Sequence, residues 1–374
     1  MLFMSEDAID PTRIEGAPHP RETPDLIGQD AAQAAFLDAF NSGRLHHAWL
    51  ITGPRGVGKA TLAWRIARFL LTTPDLDPDD MFGAPAPTSL NVAEDHPIAR
   101  RILAGTEPGL KSVHRTVNEK TKKLRDLIVV DDVRDMATFF QLSATDGGRR
   151  VVIIDAADEM NVNAANALLK MLEEPPARTT LLLICHQPSR LLPTIRSRCR
   201  TLRLDALNHE QMISAMTQAG VDPGAEATAL AELSAGSVGE ALRLSLLDGQ
   251  KIYNEIIALL GSMPNLDRAR ALAIAEAASA RGAETRLDLL YTLIDIALTR
   301  LARTGAGHPP RVEAAPNEAD IFARLAAHPD QARAWADTAQ TTLERARHGR
   351  AVNLDAGALV LDTLFKLSAT ASPR

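Results

Sequence analysis

Gly53-Pro54-Arg55-Gly56-Val57-Gly58-Lys59 lies between an apolar run at residues 47–52 and a helix-forming stretch at 59–71. In that context a glycine-rich turn can aim successive backbone N–H groups at a phosphate. The helix N-terminus adds favourable partial charge, and a lysine at the end of the turn reaches the outer phosphates. The alternative is a glycine-rich turn that holds no ligand. The strand before it, the helix after it, the spacing and Lys59 favour a phosphate loop, with Gly53, Pro54, Arg55, Gly56, Val57, Gly58 and Lys59 as its nucleotide-binding residues. A strand feeding a helix through such a loop implies an α/β fold.

The pattern continues on either side. A helix is expected over 31–42, a strand over 128–130, a helix over 132–142 and a strand over 151–155, whose unbroken Val-Val-Ile-Ile run suits burial on both faces. A helix over 164–173 stops at Pro175-Pro176, and strands over 180–185 and 201–204 complete the set. Alternating strands and helices predict a doubly wound parallel sheet across 25–204. Residues 1–24 carry Pro11, Pro18, Pro20 and Pro24 and are expected to form a flexible tail, and 73–90 are a proline-rich loop. Beyond Asp205 strands are no longer expected. Residues 205–247 predict a small helical lid and 248–374 an all-helical domain with a Gly/Pro loop at 305–316. Within it Leu287, Leu290, Ile294 and Leu301 form one apolar stripe and Leu289, Leu293 and Ile296 a second. A face this wide suits the central helix of a bundle, with packing against another subunit as the alternative.

The phosphate loop lacks part of its chemistry. The position after Lys59 should carry a Ser or Thr hydroxyl for Mg²⁺, and it is Ala60. Thr61 is adjacent, but one helical step turns a side chain by about 100° away from the metal. Asp155 ends the 151–155 strand where a Walker B aspartate belongs, the alternative being a helix cap. The next residue, where a glutamate would activate the attacking water, is Ala156, and Asp158 and Glu159 lie further on. The amides and Lys59 remain, so ATP or ADP binding without turnover is expected, since phosphoryl transfer depends on the metal to neutralise developing charge.

Composition excludes several classes. The 374 residues are 45% hydrophobic and 24% charged, those of a globular chain, and a net charge of −6 argues against a dedicated nucleic-acid coat. Cys185 and Cys199, the two cysteines, supply neither a disulfide framework nor a four-cysteine zinc site. The first 25 residues carry Glu6, Asp7 and Asp10 where a secretory segment needs an apolar run, and the apolar stretches at 151–154 and 181–185 are strand-sized. A cytoplasmic location without membrane contact is expected. Lys120–Lys123 and Arg149–Arg150 are charge clusters that read as solvated faces.

The run Asn163-Ala164-Ala165-Asn166-Ala167-Leu168-Leu169-Lys170-Met171-Leu172-Glu173-Glu174-Pro175-Pro176 resembles the clamp-loader branch of the AAA+ ATPases. So do Leu191-Leu192-Pro193-Thr194-Ile195-Arg196-Ser197-Arg198-Cys199 and Leu45-His46-His47-Ala48-Trp49-Leu50. The resemblance covers most of 26–204, and the helical remainder agrees in length and character. It implies that Ser197-Arg198-Cys199 carries an arginine finger acting in trans on a neighbouring subunit's ATP, where a guanidinium stabilises transition-state charge. The alternative is a surface arginine paired with a local acid. In Gly236-Ser237-Val238-Gly239-Glu240-Ala241-Leu242 the fourth position is usually the nucleotide-sensing arginine of an ATP-hydrolysing subunit, and here it is Gly239.

The resemblance further implies a helical lid, a C-terminal collar, and partners in the gamma/tau and delta subunits of DNA polymerase III. The sliding clamp and primer–template DNA would be reached through that complex. With Ala60, Ala156 and Gly239 the chain looks like a non-hydrolysing member of the ring; the alternative is a catalytically active gamma/tau-like motor. An unrelated P-loop kinase would not account for Ser197-Arg198-Cys199. Relatives often carry a zinc module after the phosphate-loop helix, but residues 72–127 contain no cysteine, so no metal is expected.

Overall fold

The computed structural model describes every residue except 1–9, 15–16, 24, 75–84, 142–147, 223, 281, 353 and 373–374. Two compact units emerge, one comprising Met1–Gly220 with Ser237–Gly239, the other Val221–Gly236 with Glu240–Arg374.

The first unit contains α1 (Asp30–Asn41), β1 (Ala48–Thr52), α2 (Lys59–Thr72), α3 (Pro97–Leu103), β2 (Leu110–His114) and α4 (Val130–Gln141). After these come β3 (Arg150–Asp155), α5 (Val162–Glu173), β4 (Thr179–Cys185), α6 (Pro193–Arg196), β5 (Arg200–Arg203) and α7 (His209–Gln218). The strands form one parallel sheet in the order β2-β3-β4-β1-β5. Parallel neighbours need crossovers, and here helices supply them and cover both faces. Hence β1 and β4 are buried throughout and β3 along its middle four residues. The expected doubly wound sheet is present.

One strand lies elsewhere than expected. Residues 128–130 form no strand: Ile128 makes an isolated bridge to Met160, and α4 begins at Val130. The fifth strand is β2, at residues where no strand is expected from the sequence. As an edge strand paired only with β3, it buries Val113 alone, so Lys111, Ser112 and His114 interrupt the apolar pattern.

Of the stretch expected to be a flexible tail, residues 10–14 and 17–23 are described, and they pack. His19 is 4% exposed and meets Trp64 of α2 edge-on at 5.6 Å, while an Arg68 terminal nitrogen donates to the Arg21 carbonyl at 2.7 Å. The prolines block regular structure there without blocking burial. Of the 73–90 loop, residues 75–84 lie outside the described residues.

The second unit is helical: α8 (Ala227–Leu233), α9 (Val238–Leu246, its first two residues grouping with the first unit), α10 (Gly249–Ser262) and α11 (Arg268–Ser279). α12 (Glu284–Gly305), α13 (Glu318–Leu325), α14 (Pro329–Ala351) and α15 (Ala356–Ala371) follow. α12 is the bundle's central helix, with Leu287, Leu289, Leu290, Leu293, Ile294, Leu298 and Leu301 all buried. Fully enclosed Glu318 accepts from Tyr253 Oη at 2.6 Å, Arg300 Nε at 2.8 Å, a second Arg300 nitrogen at 3.1 Å and the Ala314 N–H at 2.7 Å. A buried carboxylate with this many donors is satisfied. Among the described residues no helix is long and apolar enough to cross a membrane.

Candidate functional site

The phosphate loop leaves the carboxyl end of β1 and enters α2. Gly53, Gly56 and Gly58 have φ of 144°, 72° and 99°, where a side chain is disfavoured. A Cβ on Gly53 would also stand 2.4 Å from the Leu204 carbonyl oxygen. Buried Gln29 donates to the carbonyls of Val57 at 3.2 Å and Asp205 at 2.8 Å, fastening the loop to the chain after β5. Nothing in the sequence marks Gln29 for this role.

Lys59 opens α2 and is 3% exposed. Its ammonium donates to the carbonyls of Gly53 at 2.7 Å and of Pro54. Burial pulls its pKa down to about 8, against the opposing pull of Asp155. Asp155 ends β3 at the same edge of the sheet, and burial, reinforced by the charge of Glu159, raises its carboxyl to about 6. The structure thus brings Lys59 and Asp155 into electrostatic reach of each other. Ala60 and Thr61 follow Lys59 in the first turn of α2, and Ala156 is 2% exposed.

Both nearby acids are engaged elsewhere. Asp158 accepts the backbone N–H groups of His186 at 2.9 Å and Gln187 at 3.0 Å, shaping the turn after β4. Glu159 pairs with Arg55 of the loop at 2.6 Å and with Arg115 at 2.9 Å. His186 is pushed down to about 4 by burial, with Lys59 and Arg55 acting in the same direction. It is therefore a neutral group at ordinary pH.

Gly239 has a role that its reading as a missing arginine did not suggest. Its N–H donates to the Gly56 carbonyl at 3.1 Å. A Cβ on Gly56 would fall 2.2 Å from Ser237 Oγ and 2.8 Å from Gly239 N, and one on Gly239 would fall 3.0 Å from Gly56 Cα. Two glycines facing each other let the 237–239 backbone lie directly on the phosphate loop.

Arg198 lies apart from these residues, in the turn between α6 and β5. Parallel pairing aligns Trp49 with Arg200 and Thr52 with Arg203, so Arg198 sits at the amino end of the sheet and the phosphate loop at its carboxyl end. One Arg198 nitrogen donates to Glu173 Oε1 at 2.9 Å and the other to the Thr194 carbonyl at 3.1 Å. Ser197 Oγ donates to Thr194 O at 3.1 Å, and Cys199 packs on the sheet core. Burial raises the thiols of Cys185 and Cys199 to about 12, which leaves both unreactive. His46 and His47 stack at 4.4 Å and bond the Ala48 and Leu172 carbonyls. Among the described residues no cluster of three or more His, Cys, Asp or Glu can hold a metal ion.

Residues 28–208 match the family model described as DNA polymerase III, delta subunit. Over 266 residues the chain is 31% identical to DNA polymerase III subunit delta' of Escherichia coli, an alignment covering 71% of this chain and 73% of that one. The chain belongs to the DNA polymerase III delta-prime family. A delta-prime relative from Pseudomonas aeruginosa is 40% identical over 223 residues, 60% of this chain and 62% of the relative. DNA polymerase III subunit tau of Escherichia coli is 29% identical over 316 residues, 77% of this chain but 46% of tau. The chain thus spans about three fifths of the Pseudomonas delta-prime protein and under half of tau.

Proposed function

We propose that this chain is a non-hydrolysing subunit of the replicative clamp loader. It supports ATP-dependent loading of the sliding clamp onto primed DNA and donates Arg198 to the ATP of a neighbouring subunit. The observation that carries this is the separation of Arg198 from the chain's own phosphate loop. They flank opposite ends of the β1–β5 pair, and four residues of strand at about 3.3 Å each put them more than roughly 13 Å apart. An arginine there cannot serve its own nucleotide and is free to serve another's.

The chain's own loop is read as a nucleotide holder at most. Lys59 is satisfied by loop carbonyls, Ala60 offers no metal ligand, Ala156 offers no base, and Asp158 and Glu159 are committed to other donors. ATP or ADP bound there would not turn over. Residues 205–247 would serve as lid and 248–374 as collar, joining the gamma/tau and delta subunits in a ring that handles the clamp and primer–template DNA.

Two assays test the reading. The purified chain should show no magnesium-dependent ATP turnover, and robust hydrolysis would favour a gamma/tau-like motor instead. In the assembled complex, Arg198→Ala should preserve assembly while lowering DNA- and clamp-stimulated ATPase about tenfold or more; an unchanged rate would remove the trans role.

A further inference from the structure

Between β2 and α4 the chain folds into a small hairpin whose tip is basic. Val117 and Leu124 form an antiparallel bridge, Arg125 N–H donates to Thr116 O at 3.0 Å, and Asn118 N–H donates to Lys123 O at 2.8 Å. The Asn118 side chain accepts the N–H groups of Lys120 at 2.9 Å and Thr121 at 3.2 Å, and Lys122 takes the left-handed conformation at φ 54°. Such side-chain-to-backbone bonds define a turn. The tip, residues 119–123, is exposed throughout and carries three lysines against Glu119.

The two basic clusters seen in the sequence therefore differ. Arg150 donates to the carbonyls of Phe139 and Phe140 at 2.9 and 2.5 Å, and Arg149 lies over the Phe40 ring at 5.3 Å, so that cluster is used in packing. Lys120, Lys122 and Lys123 make no side-chain hydrogen bond or ion pair among the described residues. At the base of the hairpin, Arg115 shares Glu159 with Arg55, which ties the hairpin to the phosphate-loop edge of the sheet.

We propose that this hairpin contacts the phosphate backbone of DNA, an inference that rests on the clamp-loader reading above. Lysine is a compact point charge suited to phosphate, and neutralising phosphates releases counter-ions whatever the base sequence. The tip has no apolar side chain to bury, whereas the cores of protein–protein interfaces are depleted in lysine and enriched in aromatic residues. The concentration of cations stands out on a chain of net charge −6.

The test titrates the assembled complex with primer–template DNA over a salt series, by fluorescence anisotropy, with assembly checked by size-exclusion chromatography. The triple variant Lys120→Ala, Lys122→Ala, Lys123→Ala should bind DNA at least about tenfold more weakly at low salt. Its slope of log affinity against log salt should be shallower by between about 2 and 3, since each duplex phosphate contact contributes about 0.9. Glu119→Lys should bind more tightly, with a steeper slope. Unchanged affinity and slope in both variants would overturn the proposal. So would loss of assembly in the triple variant, which would assign the tip to an acidic protein surface. Arg198→Ala, run in parallel, separates the two ideas: unchanged ATPase there refutes the trans role while leaving the salt slopes to judge the hairpin.

Discussion

Arg198 is held at both ends of its guanidinium, by Glu173 Oε1 at 2.9 Å and by the Thr194 carbonyl at 3.1 Å. A surface arginine paired with a local acid is one of the two readings the sequence left open, and this pair exists. It does not displace the other reading. Half-exposed ion pairs contribute about 0–1 kcal/mol, so a phosphate presented by a neighbour can compete for the same donors. Glu173→Gln keeps an acceptor but not the charge. It should change unfolding free energy by less than about 0.5 kcal/mol and leave the ATPase of the complex at or above the unaltered rate. A tenfold fall in that rate would mean that Glu173 aims the arginine and does not merely hold it in reserve.

The contact between Gly56 and Gly239 predicts a steric cost. Gly56→Ala places a Cβ 2.2 Å from Ser237 Oγ, at a φ of 72°. Destabilisation of about 1–3 kcal/mol is expected, together with faster amide exchange at Gly239, whose N–H loses its acceptor. Denaturant melts and hydrogen exchange report both, and an unaltered exchange rate at Gly239 would show that the contact is absent in solution.

Asp155 predicts a pH dependence. Its folded pKa of about 6 lies above the unfolded value of 3.8, so the folded state binds the proton more tightly. Stability from this group is therefore lost as pH rises from about 4 to about 6, and the cost is full above that. Asp155→Asn removes it, and the two-unit shift sets the gain at up to roughly 3 kcal/mol above pH 6, reduced by what Lys59 loses in its partner. Melting temperatures at pH 4 and pH 7.5 should show the variant's advantage only at the higher pH; an equal advantage at both would contradict the assignment.

Arg300 neutralises the enclosed Glu318 and also pairs with Glu232 at 3.4 Å. Arg300→Ala leaves a buried carboxylate with Tyr253 and the Ala314 N–H alone, which should cost about 3–5 kcal/mol. Adding Glu318→Gln should recover part of that loss. No recovery in the double variant would show that packing by the arginine stem, and not its charge, is what matters.

What the sequence by itself determined is the part of the molecule that local chemistry specifies. The phosphate loop is legible because glycine spacing and a lysine at a helix start have few other uses. The interior strands β1, β3 and β4 are legible because burial on both faces demands continuous apolar residues. The absences at Ala60 and Ala156 are legible because each is defined by its distance from a neighbouring landmark. Tertiary structure decided the rest. Edge strand β2 buries only Val113 and so carries no pattern, while His19 is buried by a tryptophan outside its own stretch. The commitment of Glu159 to Arg55 and Arg115, the seat of Gly239 on Gly56, and the placing of Arg198 at the far end of the sheet from Lys59 all join residues distant in the chain. Periodicity and spacing report on neighbours a few residues away; charge pairing and backbone approach depend on which strands lie side by side, and only the folded sheet sets that.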